Sequence, residues 1–503
     1  MKNEKTNIIL GFDIGTSGLK CIAYELDSGC TYSVYSEWKL LTTEEGFVEF
    51  DCDDLWNTIV QSIARLSLDH GISLNRIAAI GFCALCPGLI AIDANGKEIS
   101  RCIIFMDSRS SEEANNINSV IPFEKSHPIV ANRIMSGATS VTTMMWLKRH
   151  VPDAYQKTAK FLHLPSWAGY KLTGQIRMDL SNAAGTGLYD IHNQCWSVEM
   201  TKAAQLDMEK LPPLAEGVEL LGGVNNSELI AMGIRPGTPV SCGAGDTVSA
   251  LLALSISPHQ AMLSLGTSHV LYAVVDRDRF DPMLLGRSFV FKDTWAIGGA
   301  MSNPGLMLSW FRDNFCQDIA RSSKKSGCDA YNLINEDAAR SIPGAGGLIC
   351  LPYITGERSP VYDSNVRAVF LGVNLNTTRA DFARSIMESS GLGIRQLLEI
   401  LEKTMGETIE SITVTGGGSQ SKILLQIIAD ITGRTINVSR LPDVGAMGAA
   451  LTGAIAAGLL HRDSLPKFDI EEKQVVPNLA LGDIYNHCYD RYTKIYPSVK
   501  DLF

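Results

Sequence analysis

The sequence predicts an α/β protein made of two duplicated domains with a ligand cleft between them. Three observations carry that expectation. The opening segment reads as a strand, a tight turn at Gly15-Thr16-Ser17-Gly18 and a second strand, which is a β-hairpin with a glycine-rich tip. The same design returns about half a chain later, over residues 261–275, where Gly266-Thr267-Ser268 supplies the turn. Each hairpin heads a stretch in which strand-like and helix-like periodicity alternate, and 503 residues need two or three domains at roughly 100 to 200 residues each. The expected domains are residues 1–252 and 253–503.

Element by element, residues 53–70 place Leu55, Ile59, Ile63 and Leu66 on one helical face, and short apolar runs at 77–82 and 89–92 read as strands. Helical pieces are expected at 146–150 and 165–172. A buried strand at 240–244, ending in Gly245-Asp246, closes the first domain. After the second hairpin come a helix over 379–405, a strand at 412–415, a Gly416-Gly417-Gly418 turn, a helix over 422–432 and a small-residue helix from Gly445. In that last helix Ala449 and Gly453 have small-xxx-small spacing, read here as close packing in a soluble core.

Composition narrows the partners. With 45% hydrophobic and 19% charged residues the chain has the material for sizeable cores and no case for disorder. Its formal net charge of -10 argues against nucleic acid, so an anionic ligand has to be held by local devices such as backbone amides, helix starts or a metal ion. The N-terminus has no long apolar region of a signal peptide, and no run of about 18 to 20 apolar residues suggests a membrane span. Twelve scattered cysteines suit a reducing cytoplasm. Cys83 and Cys86 have CxxC spacing without a second pair, and read as small buried hydrophobes; the redox alternative predicts indifference to ATP and loss of activity in Cys86→Ser.

Chemistry concentrates in the turns. Asp13 closes a strand, and Gly15, Thr16 and Ser17 behind it offer amides and hydroxyls to a phosphate while the carboxylate positions a magnesium ion; an ordinary hairpin turn is the alternative. Gly266 and Thr267 would face them as a second set of donors. Gly417, Gly418 and Ser421 lie between a strand and a helix, where amides can approach a nucleotide, although the segment is neither a Walker motif nor GxGxxG. Asp246, at the end of an apolar strand, is either a general base at the cleft or a helix cap. Asp107-Ser108-Arg109 and Gly356-Glu357-Arg358 are polar enough to bind a sugar, or are local ion pairs.

Taken together, GFDIGTSGLKC near the start, MDSR at 106–109, SNAAGTGLYDI, CGAGDTVSA at 242–250, LSLGTS, GGAMSNPG, LPYITGERSPVYDSNVRAVFLG and TVTGGGSQSK resemble the FGGY family of carbohydrate kinases, with xylulose and gluconate kinases as its nearest members. The resemblance implies two actin-like (ribonuclease H-like) domains, with ATP and Mg2+ between them and a small-molecule sugar as substrate. It makes Asp246 the catalytic base, able also to help hold the metal, and Asp13 the metal-organising carboxylate. Gly15, Thr16 and Ser17 become the first phosphate loop, Gly266 and Thr267 the second, and Gly417, Gly418 and Ser421 the nucleotide side. Where xylulose-specific members carry Met-His and glycerol-specific members Arg-Glu, this chain has Cys86-Pro87, so neither set of sugar contacts carries over. Asp107 is expected to accept a sugar hydroxyl, with Arg109 beside it and Trp167 as a stacking wall. The activity expected is phosphorylation of a ketopentose in the cytoplasm. Another polyol or sugar acid, of the gluconate, erythritol or glycerol type, is the alternative substrate, and a regulatory nucleotide-binding protein the alternative function; a homodimer is left open.

Overall fold

A computed structural model describes residues 6–257, 259–319, 321, 329–468 and 474–503. Pro258 and the first five residues of the N-terminal run read above as lacking a leader lie outside the described residues.

Two mixed sheets form the framework, and they share one strand order. In the first, Ile8–Ile14 pairs antiparallel with Gly18–Glu25, which pairs antiparallel with Thr31–Glu37, while Ile77–Ala84 lies parallel on the other side of Ile8–Ile14. In the second, Gln260–Leu265 pairs antiparallel with His269–Val275, that strand with Trp295–Met301, and Ser411–Thr415 lies parallel to Gln260–Leu265. The two hairpin turns close alike, the Gly15 amide donating to the Gly18 carbonyl and the Gly266 amide to the Ser268 carbonyl. The duplication read from three turn residues is therefore a duplication of topology.

The central strands are buried on both faces, which is why they are apolar runs rather than alternating ones. Helices cover them. Cys52–His70 starts where Asp51 accepts the amides of Asp53 and Asp54, and buries Leu55, Ile59, Ile63 and Leu66, the face expected from periodicity. Arg379–Met405 opens on a capping box between Thr378 and Asp381 and stops at Gly406, whose φ of 73° is the left-handed conformation that favours glycine. A smaller sheet of Glu49–Phe50, Cys102–Ile104, Gly88–Ile92 and Lys160–His163 is added to the first half.

Helix Val444–Ala456 ties the halves together. It follows the last strand of the second sheet in sequence, yet it lies on Ile8–Ile14 and Ile77–Ala84 of the first. Contact is close enough that a Cβ at Gly11 would come 2.0 Å from the Ala446 carbonyl oxygen, and one at Gly81 1.9 Å from that of Ala449. The small residues of this helix are thus packing residues against a sheet. Among the described residues no helix is long and apolar enough to cross a membrane.

Candidate active site

Thr16 and Ser17 are at least partly exposed, and Gly266 and Thr267 are exposed, so neither hairpin turn spends its outward face on the core. The third loop leans on the second, a Cβ at Gly418 meeting the Leu265 Cβ at 2.8 Å, and helix Pro304–Phe315 abuts the second as well, a Cβ at Gly305 coming 2.2 Å from the Gly266 carbonyl oxygen. Gly417 is open to solvent, with nothing near its Cα that a side chain would strike. Ser421 is different. Its hydroxyl caps helix Lys422–Thr432 by accepting the Leu424 amide and donates to Asn335, so the expectation that it binds nucleotide is corrected.

Asp13 is the penultimate residue of its strand, with Lys20 across the hairpin and Cys83 on the parallel neighbour. A Cβ at Gly445 would stand 2.6 Å from its Oδ2, so the start of helix Val444–Ala456 abuts the carboxylate. Burial first, and the charge of Asp246 second, raise the Asp13 carboxyl to about 6. Lys20 pairs at 3.1 Å with Asp443. Burial pulls the Lys20 ammonium down, but its hydrogen bond to Asp443 and the charges of Asp443 and Asp13 leave it above its ordinary value.

Asp246 is exposed and is the first residue of helix Asp246–Ala253, whose cap position belongs to Gly245. The capping alternative is thereby set aside. Its Oδ1 accepts the Thr247 amide at 2.6 Å and the Thr247 hydroxyl at 3.2 Å. The Gly245 amide donates at 2.9 Å to Ser181 Oγ, and the Ser181 hydroxyl donates in turn to buried Asp179. Asn182 donates to both Asp179 oxygens, and its own Oδ1 lies 3.2 Å from His163 Nδ1. Burial lifts the Asp179 carboxyl to about 6 and lowers the His163 imidazole to about 4. This buried polar chain holds the peptide that presents Asp246. Sequence reading missed it because Asp179 and Ser181 are ordinary turn-forming residues whose partner lies 64 positions away.

Beside Asp246 lies Cys86. A Cβ at Gly245 would come 4.0 Å from the Cys86 Cβ, and one at Gly185 only 2.4 Å from its sulfur. Arg287 Nη1 donates to Cys86 Sγ at 3.3 Å. Cys86 is a free thiol whose burial raises its pKa, and Cys83 beneath Asp13 is raised further for the same reason. Protonated thiols are poor nucleophiles, which counts against the redox reading.

Three sugar-side expectations are corrected. Asp107 is 1% exposed, and its oxygens accept the amides of Val48 and Arg109 and the Arg109 guanidinium, leaving no acceptor for a sugar hydroxyl. Arg109 also pairs with Glu49 at 2.6 Å and lies 3.6 Å above the Phe47 ring, locked inside its own lobe. Trp167 is fully buried and donates its indole N–H to Glu98 at 2.8 Å, so it is a core residue and not a stacking wall. Glu357 is likewise buried, accepting the amides of Ser302 and Arg358.

The N-terminal domain model of the FGGY family of carbohydrate kinases matches residues 8–253, and its C-terminal domain model matches residues 261–457. The chain is 26% identical over 500 residues to a gluconokinase of Bacillus subtilis, covering 99% of this chain and 93% of that protein. To a xylulose kinase of Staphylococcus epidermidis it is 28% identical over 500 residues, covering 98% and 97%. The crystal structure of a xyloylose kinase from Brucella ovis superposes with a TM-score of 0.90 at 26% identity, over 99% of this chain and all of that one. Matched along both halves in sequence and in three dimensions, this α/β chain with its actin-like fold belongs to the FGGY family and is a carbohydrate kinase.

Proposed function

We propose that the cleft binds ATP with Mg2+ and transfers the γ-phosphoryl group to a hydroxyl of a small open-chain sugar of the ketopentose or sugar-acid kind. The lobes divide at residues 252 and 253. The observation that carries the reading is the nearness of Asp13, at the end of the first hairpin's leading strand, to Asp246, at the start of helix Asp246–Ala253, the charge of Asp246 bearing on the buried Asp13 carboxyl. Two such anions call for a cation. Among the described residues no cluster of three or more His, Cys, Asp or Glu could hold a metal alone. The donor set still fits magnesium, which takes one or two carboxylates, keeps waters and completes its shell with substrate phosphates. Bound there, Mg2+ with ATP would supply the phosphoryl group and neutralise its developing charge.

The chain's own residues do the rest. Gly15, Thr16 and Ser17 on one wall and Gly266 and Thr267 on the other donate to phosphate oxygens, and Gly417 and Gly418 give the nucleotide a close, side-chain-free approach. Asp246 accepts the proton of the attacking hydroxyl, its carboxylate aimed by Thr247 and its peptide held by Ser181. Closure of the lobes over these loops excludes water, which would otherwise accept the phosphoryl group.

Magnesium-dependent ADP release measured over ketopentoses, aldoses, alditols and sugar acids tests the reading. One class should raise ADP release well above the sugar-free rate, and Asp246→Ala should lower that turnover about 100-fold or more while ATP still binds. Wild-type turnover in Asp246→Ala would refute the assignment of the base.

A further inference from the structure

Arg287 has no role in the kinase chemistry described so far, and its setting calls for a ligand. It lies in strand Leu285–Ser288 at the edge of the second sheet, but that edge is fastened to the first half: the Gly286 amide donates to the Ala131 carbonyl at 3.0 Å, and the Gly286 carbonyl accepts from Asn132 Nδ2 at 2.8 Å. Tyr189 and Ser288 complete the seam with a hydroxyl pair at 2.9 Å. A cation from one half is thereby delivered to the sugar side of the other, where its Nη1 meets Cys86. Gly185 makes the room; a Cβ there would come 3.4 Å from Nη1.

The partners around it are wrong for a structural arginine. Arg109 and Arg384, whose side chains are buried, each hold carboxylates, Glu49 and Asp107 for one and Glu388 for the other. Arg287 forms no ion pair among the described residues; it touches the Cys86 thiol and the Tyr272 hydroxyl, neither of which is an anion at neutral pH. The carboxylate whose field reaches it is Asp246. A guanidinium has five donors in a planar fork matched to a carboxylate, and this one is half-buried with no counter-ion among the described residues to take them. The small Cys86 side chain and Gly185 flank that fork on the side of Gly245 and Asp246.

We infer that Arg287 binds the carboxylate of a sugar-acid substrate, an aldonate whose other end presents its hydroxyl to Asp246. This rests on the reading of Asp246 as the base, and it selects the sugar acid over the ketopentose. A neutral sugar of the same length offers the fork only carbonyl or hydroxyl oxygens, so discrimination comes from one charge-assisted bidentate pair.

Turnover with Mg2+ and ATP is measured on four- to six-carbon aldonates and on the alditols and ketoses of matching length. Binding of the same aldonates is followed by calorimetry in the wild type, Asp246→Asn, Arg287→Leu and Arg287→Lys. An aldonate should be preferred over its alditol by about 100-fold in kcat/KM, and Arg287→Leu should abolish that preference by raising KM for the aldonate while leaving ATP affinity unchanged. Partial rescue in Arg287→Lys separates charge from folding. Arg287-dependent aldonate binding without Asp246-dependent turnover keeps the anchor and refutes the base. Turnover on neutral sugars with no aldonate binding refutes the anchor and keeps the kinase reading. A loss of ATP affinity in Arg287→Leu, with aldonate affinity intact, assigns the guanidinium to phosphate and overturns the inference.

Discussion

Gly81 sits in the middle of Ile77–Ala84, and a methyl group there has nowhere to go. The Cβ of Gly81→Ala would lie 1.9 Å from the Ala449 carbonyl oxygen and 2.8 Å from both its carbonyl carbon and Thr452 Oγ1. The first obstacle is helix backbone, so no side-chain rotation relieves it. Restoring the 3.0 Å that real Cβ contacts respect means moving helix Val444–Ala456 off the sheet by about 1 Å. Overpacking of this kind costs roughly 1 to 3 kcal/mol, or a few degrees of Tm for a chain this long if the halves unfold together. The larger effect should be on turnover. Gly445, the second residue of the same helix, abuts Asp13, so the shift is passed to the carboxylate, and a misplacement of about 1 Å can cost 100-fold in rate. The assay is urea unfolding together with kcat and KM for ATP in Gly81→Ala, with Gly482→Ala as the control. Gly482 has nothing within contact distance of an added Cβ and a helical φ of -53°, so the control should be as stable as the wild type or slightly more so. Wild-type stability and turnover in Gly81→Ala would show that the helix does not bear on the site.

Two further outcomes are expected. In Ser181→Ala the Gly245 amide loses its acceptor and Asp179 a donor, both buried, at a cost of roughly 1 to 3 kcal/mol; kcat should fall with ATP affinity unchanged and recover in Ser181→Thr, whereas lost stability at full turnover would make the chain of bonds merely structural. His269, 3% exposed behind the Gly266-Thr267-Ser268 turn, has its imidazole lowered by burial to about 4 from an ordinary 6.5. The unfolded chain therefore takes up a proton near 6.5 that the folded chain refuses until about 4, so this residue removes stability as pH falls through that window, by roughly 3 kcal/mol in all. Denaturant midpoints measured between pH 7 and 4 should fall less steeply in His269→Phe than in the wild type, and identical slopes would refute the assignment.

The features legible in the sequence were those carried by local chemistry. Glycine-tipped turns, Asp13 at a strand end and Asp246 after small residues each announce themselves within a few positions, and so did the boundaries of helices 379–405 and 422–432, which have caps and left-handed glycines at their ends. Ser421 was misread for the same reason: a hydroxyl after glycines at a helix start suits a phosphate and a cap equally, and only Asn335, 86 residues away, decides. The sugar side was illegible because it is assembled from distant segments. Asp107 and Arg109 look like a substrate pair in a loop, but Phe47, Val48 and Glu49 arrive from a segment about 60 residues earlier and consume both. Arg287 has the opposite history. A lone arginine in a short edge strand reads as a solvated charge, and its meaning depends on Ala131 and Asn132 pinning that strand to the other half and on Gly185 leaving it space. This fold repeats its hairpin turns together with their spelling, Gly-Thr-Ser in both copies. Substrate contacts in such a fold carry no repeat to read, and have to be found as charges that folding leaves without a partner.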